Sequence, residues 1–274
     1  HRHLYSVICK VVGSAVIFAF PSKVQCVRNL YTKIDKQGGM SMMKKLWKQN
    51  FWLLAALGVY ALISFYVYRQ SGIFIHRAIV WNVFLALLSY LFMTLFFAAY
   101  ERKSTPGMVI AFLCWLLLFP NVPYLITDFI HISPLTFYIF QESGSIYVRE
   151  LLPWLELLHL AVGIFFGILS GYRSFYLLHE FTARHIGQLR SWIIAALICL
   201  VSSYGVYLGR FLRLNSWDIM HPSSLIEKII QGSDTFSLQF TLVFFLFLFV
   251  TYGLYYFCFH KKIGGTHHED TICQ

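Results

Sequence analysis

Residues 78–100 read AIVWNVFLALLSYLFMTLFFAAY, a run of 23 residues without a charged side chain. A transmembrane helix needs about 20 mostly apolar residues. Comparable runs occur at five other places, so the six predicted spans are 51–68, 78–100, 108–126, 153–172, 192–208 and 236–259. Because lipid offers no hydrogen bonds to a backbone, and because these runs are too long for barrel strands, the sequence predicts an all-α polytopic membrane helix bundle.

The composition of the whole chain excludes an ordinary soluble domain. Of its 274 residues, 58% are hydrophobic and 12% are charged, and the mean hydropathy is +0.64. Soluble domains contain about 45–50% apolar and about 25% charged residues. The lipid bilayer is therefore an expected partner. The net charge of +10 does not indicate nucleic-acid binding, because the Lys and Arg residues stand singly or in short runs at the ends of apolar segments.

The distribution of Lys and Arg beside the spans predicts the orientation. Ten of these residues fall on one side and six on the other, and cytoplasmic loops carry the excess. We therefore expect both termini to be cytoplasmic, in a bacterial cytoplasmic membrane. The six on the predicted outer side are Arg69, Arg77, Arg149, Arg210, Arg213 and Lys228.

The third span is interrupted near its predicted outer end by Pro120 and Pro123. Proline removes a backbone donor and kinks or breaks a helix. We therefore predict a kink or break there within membrane depth, with Asn121 placed to satisfy freed carbonyl groups and with the non-helical backbone covered by protein or lining a water-filled cavity. The alternative is a simple proline kink that only shapes helix packing.

The two ends of the chain differ from the predicted membrane domain, residues 42–262. Gln37, Gly38 and Gly39 directly precede Met40, and this pattern is typical of a ribosome-binding sequence translated in frame. Residues 1–41 are thus interpreted either as upstream translation or as a signal-like segment or extra helix. The polar tail, residues 263–274, is expected to be disordered.

Two polar stretches follow spans three and five. The first runs from Phe119 through Asn121 to His131, as FPNVPYLITDFIH, and the second is YLGRFLRLNSWD at 207–218. Together they resemble the signatures of the bacterial membrane-protein family known as domain of unknown function 1361, over residues 115–219. The resemblance implies a multi-pass membrane fold without an established activity.

Both stretches lie on the same predicted side of the membrane, so they could share one site. The candidate binding residues are Asn121, Asp128, Arg210, Arg213, Asn215, Trp217 and Asp218. Two arginines three residues apart could clamp a phosphate, since guanidinium groups donate bidentately to its oxygens. An anionic lipid headgroup or a lipid-linked phosphate is the natural ligand at that depth. Alternatively, the arginines and Trp217 anchor the protein at the interface.

Three pairs of a carboxylate and a histidine, each three residues apart, accompany these stretches. Side chains three apart share a helix face and could direct an oxygen and a nitrogen at one divalent metal ion. The pairs are Asp128 with His131, Glu156 with His159, and Asp218 with His221. Two other interpretations stay open: a buried polar network that includes Asp128, His159, Arg210 and Asp218, and solvated surface groups.

The sequence favours a non-catalytic membrane protein that binds an anionic lipid, a lipid-linked phosphate or a partner from the outer leaflet. The alternative is a membrane-embedded enzyme acting on such a substrate, which would be metal-dependent if the carboxylate–histidine pairs bind a divalent metal ion. The sequence has no Gly-x-Ser-x-Gly, no His-Glu-x-x-His and no phosphate loop, so no reaction is assigned. A transporter is disfavoured because spans one, two and six contain few polar residues.

Overall fold

A computed structural model describes residues 42–141, 144–215, 218 and 220–263. The predictions for residues 1–41 and 264–274, and for Trp217, lie outside the described residues. The α-helices are α1 Met42–Ser71, α2 Ile75–Glu101, α3 Thr105–Leu118, α4 Asn121–Tyr124, α5 Leu151–Ile186, α6 Gln188–Phe211, α7 Pro222–Gly232 and α8 Thr235–Ile263. A 3-10 helix covers Leu125–Ile132, and the strands are β1 Tyr138–Gln141 and β2 Gly144–Tyr147.

The described residues contain six helical segments that are long and apolar enough to cross a membrane. These are Met43–Ser71, Ile75–Glu101, Thr105–Ile132, Leu151–Ile186, Gln188–Phe211 and Thr235–Phe259. Each one contains one of the six predicted spans, so the all-α membrane bundle is confirmed. Most of the helices are longer than the predicted apolar runs, because charged residues at the ends of these runs are also helical.

The helix α2 lies at the centre of one half of the bundle, where it packs against α1, α3 and α5. Its side chains Ile79, Val83, Ala86 and Met93 are fully buried. The helix α6 packs against α5, α4 and α8 and forms the other half. Large apolar side chains on the outward faces, such as Leu62 of α1, remain exposed to the surroundings, as lipid-facing residues do.

Close packing along α5 depends on small residues at every fourth position. A methyl group on Gly163 would meet the ring of Tyr60, and one on Gly171 would meet the side chain of Val122. Glycine lets helix backbones approach closely in membranes, where van der Waals contact drives association. The α5 glycines therefore bring α1 and the broken third span against α5.

The third span changes its helical form at the prolines. The helix α3 ends at Leu118, and α4 begins at Asn121, one residue after Pro120. Val122 N–H donates to Phe119 at 2.9 Å, which leaves the Leu118 carbonyl without its usual backbone donor. The Asn121 amide donates to that carbonyl at 2.8 Å, as expected from the sequence. A bend of the helix axis stays a prediction.

The connection between the 3-10 helix and α5 contains an antiparallel hairpin that the sequence interpretation did not include. Tyr138 pairs with Tyr147, and Gln141 pairs with Gly144. Gly144 has a φ of 127°, a conformation that favours glycine. The hairpin is small and leaves the fold class unchanged.

Candidate functional site

The two polar stretches predicted to share a site meet in a buried ion pair. A terminal nitrogen of Arg210 lies 2.6 Å from Oδ1 of Asp128. The Asp128 side chain is 1% exposed and the Arg210 side chain 15%. Asp128 comes from the 3-10 helix and Arg210 from the last turn of α6. The pair therefore joins the third and fifth spans at one end of the bundle, which we call the Arg210 end.

Three further side chains complete the Asp128–Arg210 site, which we define as these two residues with Asn82, Tyr124 and Thr127. The Asn82 amide donates to Oδ2 of Asp128 at 2.8 Å. Nε of Arg210 donates to the Thr127 hydroxyl at 2.9 Å, and a terminal nitrogen of Arg210 contacts the same oxygen. The guanidinium carbon lies 4.1 Å from the centroid of the Tyr124 ring, within cation–π range. Both oxygens of the carboxylate are thus engaged.

Small residues of α6 allow the third span to approach it. A methyl group on Gly205 would lie 2.9 Å from Pro120, and one on Gly209 would lie 3.4 Å from the Tyr124 ring. The Thr127 hydroxyl donates to the Tyr124 carbonyl at 2.6 Å, which fixes the oxygen that Arg210 binds. Backbone packing and local hydrogen bonds within the protein therefore position the Arg210 side chain.

The remaining predicted binding residues lie in the segment after α6. Arg213 is exposed and has a φ of 54°, which is uncommon for a residue with a side chain. The Asn215 N–H donates to Oδ2 of Asp218 at 2.7 Å, so Asp218 binds its own loop. Asn121 binds Leu118 within the third span.

A second polar cluster at the Arg210 end is built around His159 of α5, and we call it the His159 cluster. Nε2 of His159 lies 2.7 Å from the Ser64 hydroxyl, and its Nδ1 lies 3.0 Å from Nδ1 of His76. The Tyr60 ring stacks on the imidazole, with the ring centroids 4.9 Å apart. Ser64, His76 and His159 are at most 5% exposed. The cluster joins α1, α2 and α5.

The Ser64 hydroxyl also lies 2.8 Å from the Tyr60 carbonyl, to which it donates. The serine oxygen can then accept from Nε2 of His159, and Nδ1 of His159 can accept from His76. Shifting each proton by one position reverses the chain and makes Ser64 a donor to His159. The cluster therefore supports two proton arrangements.

The six predicted metal ligands are distributed over different partners. Asp128 binds Arg210 and Asn82, His159 binds Ser64 and His76, and Asp218 binds the Asn215 backbone. The Glu156 side chain is buried near Ser71 of α1. His131 is half-buried, and His221 is the exposed residue that precedes α7. Within the described part of the chain, no three His, Cys, Asp or Glu side chains form a group that could hold a metal ion. Metal binding stays a prediction.

Sequence reasoning did not assign Ser64, His76 and Asn82 to a site. In the sequence, Ser64 and Asn82 are isolated polar residues within the first and second apolar spans. Polar groups in the membrane interior are costly unless they are paired, so each one signals a partner on another helix. The sequence does not specify which partner that is.

The family of the chain follows from a comparison with known proteins. Residues 81–252, well over half of the chain, match the family described as "Protein of unknown function (DUF1361)". The chain belongs to this family. The matched region contains all five residues of the Asp128–Arg210 site, whereas of the His159 cluster it contains His159 alone. No curated protein and no solved structure matches the chain.

Proposed function

We propose that this DUF1361 protein binds the phosphate of an anionic lipid, or of a lipid-linked molecule, at the Arg210 end of the bundle. The charges of the two arginines carry the proposal. Asp128 compensates the charge of Arg210, whereas Arg213 is exposed and has no carboxylate within ion-pair distance among the described residues. Arg213 therefore supplies the free positive charge.

The backbone at Arg213 supports this role. A φ of 54° costs an arginine more than it would cost glycine or asparagine, and strain of this kind often marks functional positions. The Leu214 N–H donates to the Leu208 carbonyl at 3.1 Å and closes the turn. Arg213 thus lies in a closed turn, three residues after Arg210.

The depth of the site points to a lipid. Arg210 ends a membrane-length helix, and Arg213 follows one residue after the helix cap. A cation at this height lies at the level of lipid phosphates. With both termini cytoplasmic, as the sequence predicts, the ligand belongs to the outer leaflet.

Native mass spectrometry of the detergent-purified protein tests this function by counting bound lipids. The variant is Arg213→Asn, because asparagine accepts the left-handed backbone and removes only the charge. The matched control is Lys228→Gln, which removes an exposed cation from α7 at the same end of the bundle. We expect phosphatidylglycerol or a polyprenyl phosphate to bind the parent and the control, and to bind Arg213→Asn about tenfold more weakly. Equal binding by all three proteins contradicts the proposal.

The His159 cluster favours a second candidate function, an enzyme that acts on a lipid ester. In the second proton arrangement the Ser64 oxygen attacks the ester carbonyl while its proton moves to Nε2 of His159, and His76 orients the imidazole. The ester C–O bond then breaks, the lipid alcohol leaves with the proton from His159, and the acyl group stays on Ser64 until water hydrolyses it. The relation of hydroxyl, base and orienting group is that of a nucleophilic triad, with His76 in the third position. The 2.7 Å contact between Ser64 and His159 supports this alternative.

A fluorophosphonate probe tests the alternative. If Ser64 is a nucleophile, mass spectrometry will find the probe on Ser64 in the parent and not in His159→Ala. If Ser64 of the folded parent carries no label, Ser64 is not a nucleophile and the enzyme hypothesis is rejected. Metal analysis of the same purified samples, and of Asp128→Ala, tests whether the enzyme is metal-dependent. The required result is one metal ion per parent chain and none in His159→Ala and Asp128→Ala.

A further inference from the structure

A second group of charged and hydroxyl side chains lies towards the other end of α5, away from the Asp128–Arg210 site. Arg173 follows Leu151, the first residue of α5, by 22 residues. At 1.5 Å per residue this places Arg173 about 33 Å along the helix. The group is thus near the opposite membrane surface from Arg210.

Tyrosine side chains surround Arg173. Its guanidinium carbon lies 5.5 Å from the centroid of the Tyr176 ring. Tyr90 and Tyr255 are close enough to Arg173 for electrostatic interaction with its guanidinium group. No carboxylate lies within ion-pair distance of Arg173 among the described residues. An arginine within a membrane helix normally has an anionic or strongly polar partner, and the ring beside the Arg173 guanidinium group is that of a neutral phenol.

The hydroxyl of Tyr176 is a second, independent sign of a ligand. Tyr176 is 2% exposed, and its buried hydroxyl has no hydrogen-bond partner among the described residues. Buried polar groups in folded proteins are almost always hydrogen-bonded. The Tyr176 hydroxyl is therefore a donor that a bound group could satisfy.

The group also connects to the surface of the bundle. The Tyr90 hydroxyl donates to the Gln49 side chain. Gln49 is exposed and follows the exposed residues Lys45 and Lys48 in the first turns of α1. This hydrogen bond thus links Tyr90 to the exposed basic start of α1.

We propose that Arg173 and Tyr176 bind a phosphate-bearing anion at this end of the bundle. A guanidinium group and a phenolic hydroxyl are both donors to phosphate oxygens, and the phosphate supplies a negative charge to pair with Arg173. The anion is either the headgroup phosphate of a membrane lipid or a free phosphate. This site is separate from the one proposed at Arg213 and does not depend on it.

Thermal unfolding of the purified full chain tests the site, with Tyr176→Phe as the main variant. Tests use the parent and an Arg213→Asn background, so that the Arg213 site does not contribute. Because Tyr176→Phe removes an unpartnered hydroxyl, we expect its midpoint in lipid-free detergent to equal or exceed that of its background. We expect its affinity for the stabilising anion to fall about tenfold, the loss typical of one charge-assisted hydrogen bond.

Arg173→Gln is the second variant, and Arg190→Gln is its control, because Arg190 is an exposed cation at the same end of α5 and α6. We expect Arg173→Gln to lose the anion-induced rise in midpoint and Arg190→Gln to retain it. Titrations use phosphatidylglycerol, phosphatidylcholine and inorganic phosphate separately. If only phosphatidylglycerol raises the midpoint, the ligand is an anionic lipid headgroup. If both lipids raise it, the ligand is the phosphate of a phospholipid. If inorganic phosphate raises it, the ligand is a free anion.

Two results overturn the proposal. One is an unchanged anion affinity in both Tyr176→Phe and Arg173→Gln. The other concerns Tyr176→Phe, if its unfolding midpoint in lipid-free detergent is lower than that of its background while its anion affinity equals that of the background. This result would show that the Tyr176 hydroxyl stabilises the protein's own packing.

Discussion

At the scale of single residues, Asn82 shows how an isolated polar side chain in an apolar span acquires its role from another helix. Its amide donates to Asp128 at 2.8 Å and satisfies the carboxylate oxygen that Arg210 does not bind. In the sequence, Asn82 lies in a run of 23 uncharged residues, and nothing there identifies its partner. The contact follows only from the packing of α2 against the 3-10 helix.

Asn82→Ala should therefore destabilise the protein by about 1.5–3 kcal/mol, the usual contribution of a hydrogen bond to a charged group. The control is Ser89→Ala in the same helix, because the buried Ser89 hydroxyl donates only to the Ala86 carbonyl of its own helix. The free energy of unfolding in mixed micelles measures both variants. Equal and small losses would show that the Asn82 contact contributes little.

Asp128 and Arg210 could be predicted as neighbours because both follow membrane spans on the same side. Asp218 was grouped with them for the same reason, yet its carboxylate binds the Asn215 N–H. An Asp three residues after a backbone donor can close a turn locally, and local contacts compete with distant ones. His159 belongs to a separate group with Ser64 and His76. The sequence alone therefore indicates at which end of the bundle these side chains lie, but not which of them bind one another.

At the scale of helices and strands, the apolar runs determine what can be predicted. Every run of about 20 apolar residues became a membrane-length helix, because only a helix satisfies the backbone there. The hairpin at Tyr138–Tyr147 was missed because its strands are four residues each. Its β-branched and aromatic residues around Gly144 were the available signal.

Gly171→Ala tests the close approach of α5 to the third span. The added methyl group would lie 2.8 Å from Cβ of Val122, which cannot rotate away. We expect a loss of about 1–3 kcal/mol in the free energy of unfolding, as for other overpacked cores. Gly253→Ala is the control, because a methyl group there meets nothing within 4 Å. If Gly171→Ala and Gly253→Ala have the same stability, the helices are not in close contact at Val122.

At the scale of the whole molecule, the orientation in the membrane remains a prediction from the charge distribution. Reporter fusions measure it directly. Fusions after Lys103 and Arg190 should have cytoplasmic activity, and fusions after Ser143 and Gly232 should have external activity, because the Lys and Arg excess lies on the first side. An external signal after Arg190 would reverse the orientation and would assign the Arg213 site to the cytoplasmic leaflet.

The central claim for the whole bundle is that the buried pair of Asp128 and Arg210 joins the third and fifth spans. A double-mutant cycle with Asp128→Asn, Arg210→Gln and the double variant tests it most directly, with the exposed Glu150→Gln as control. Each single variant should lose about 3–5 kcal/mol in the free energy of unfolding, because it leaves a buried charge unpaired, while Glu150→Gln changes little. The double variant should lose at least about 1.5 kcal/mol less than the sum of the two single losses. Single losses that add to within about 0.5 kcal/mol would contradict the pairing.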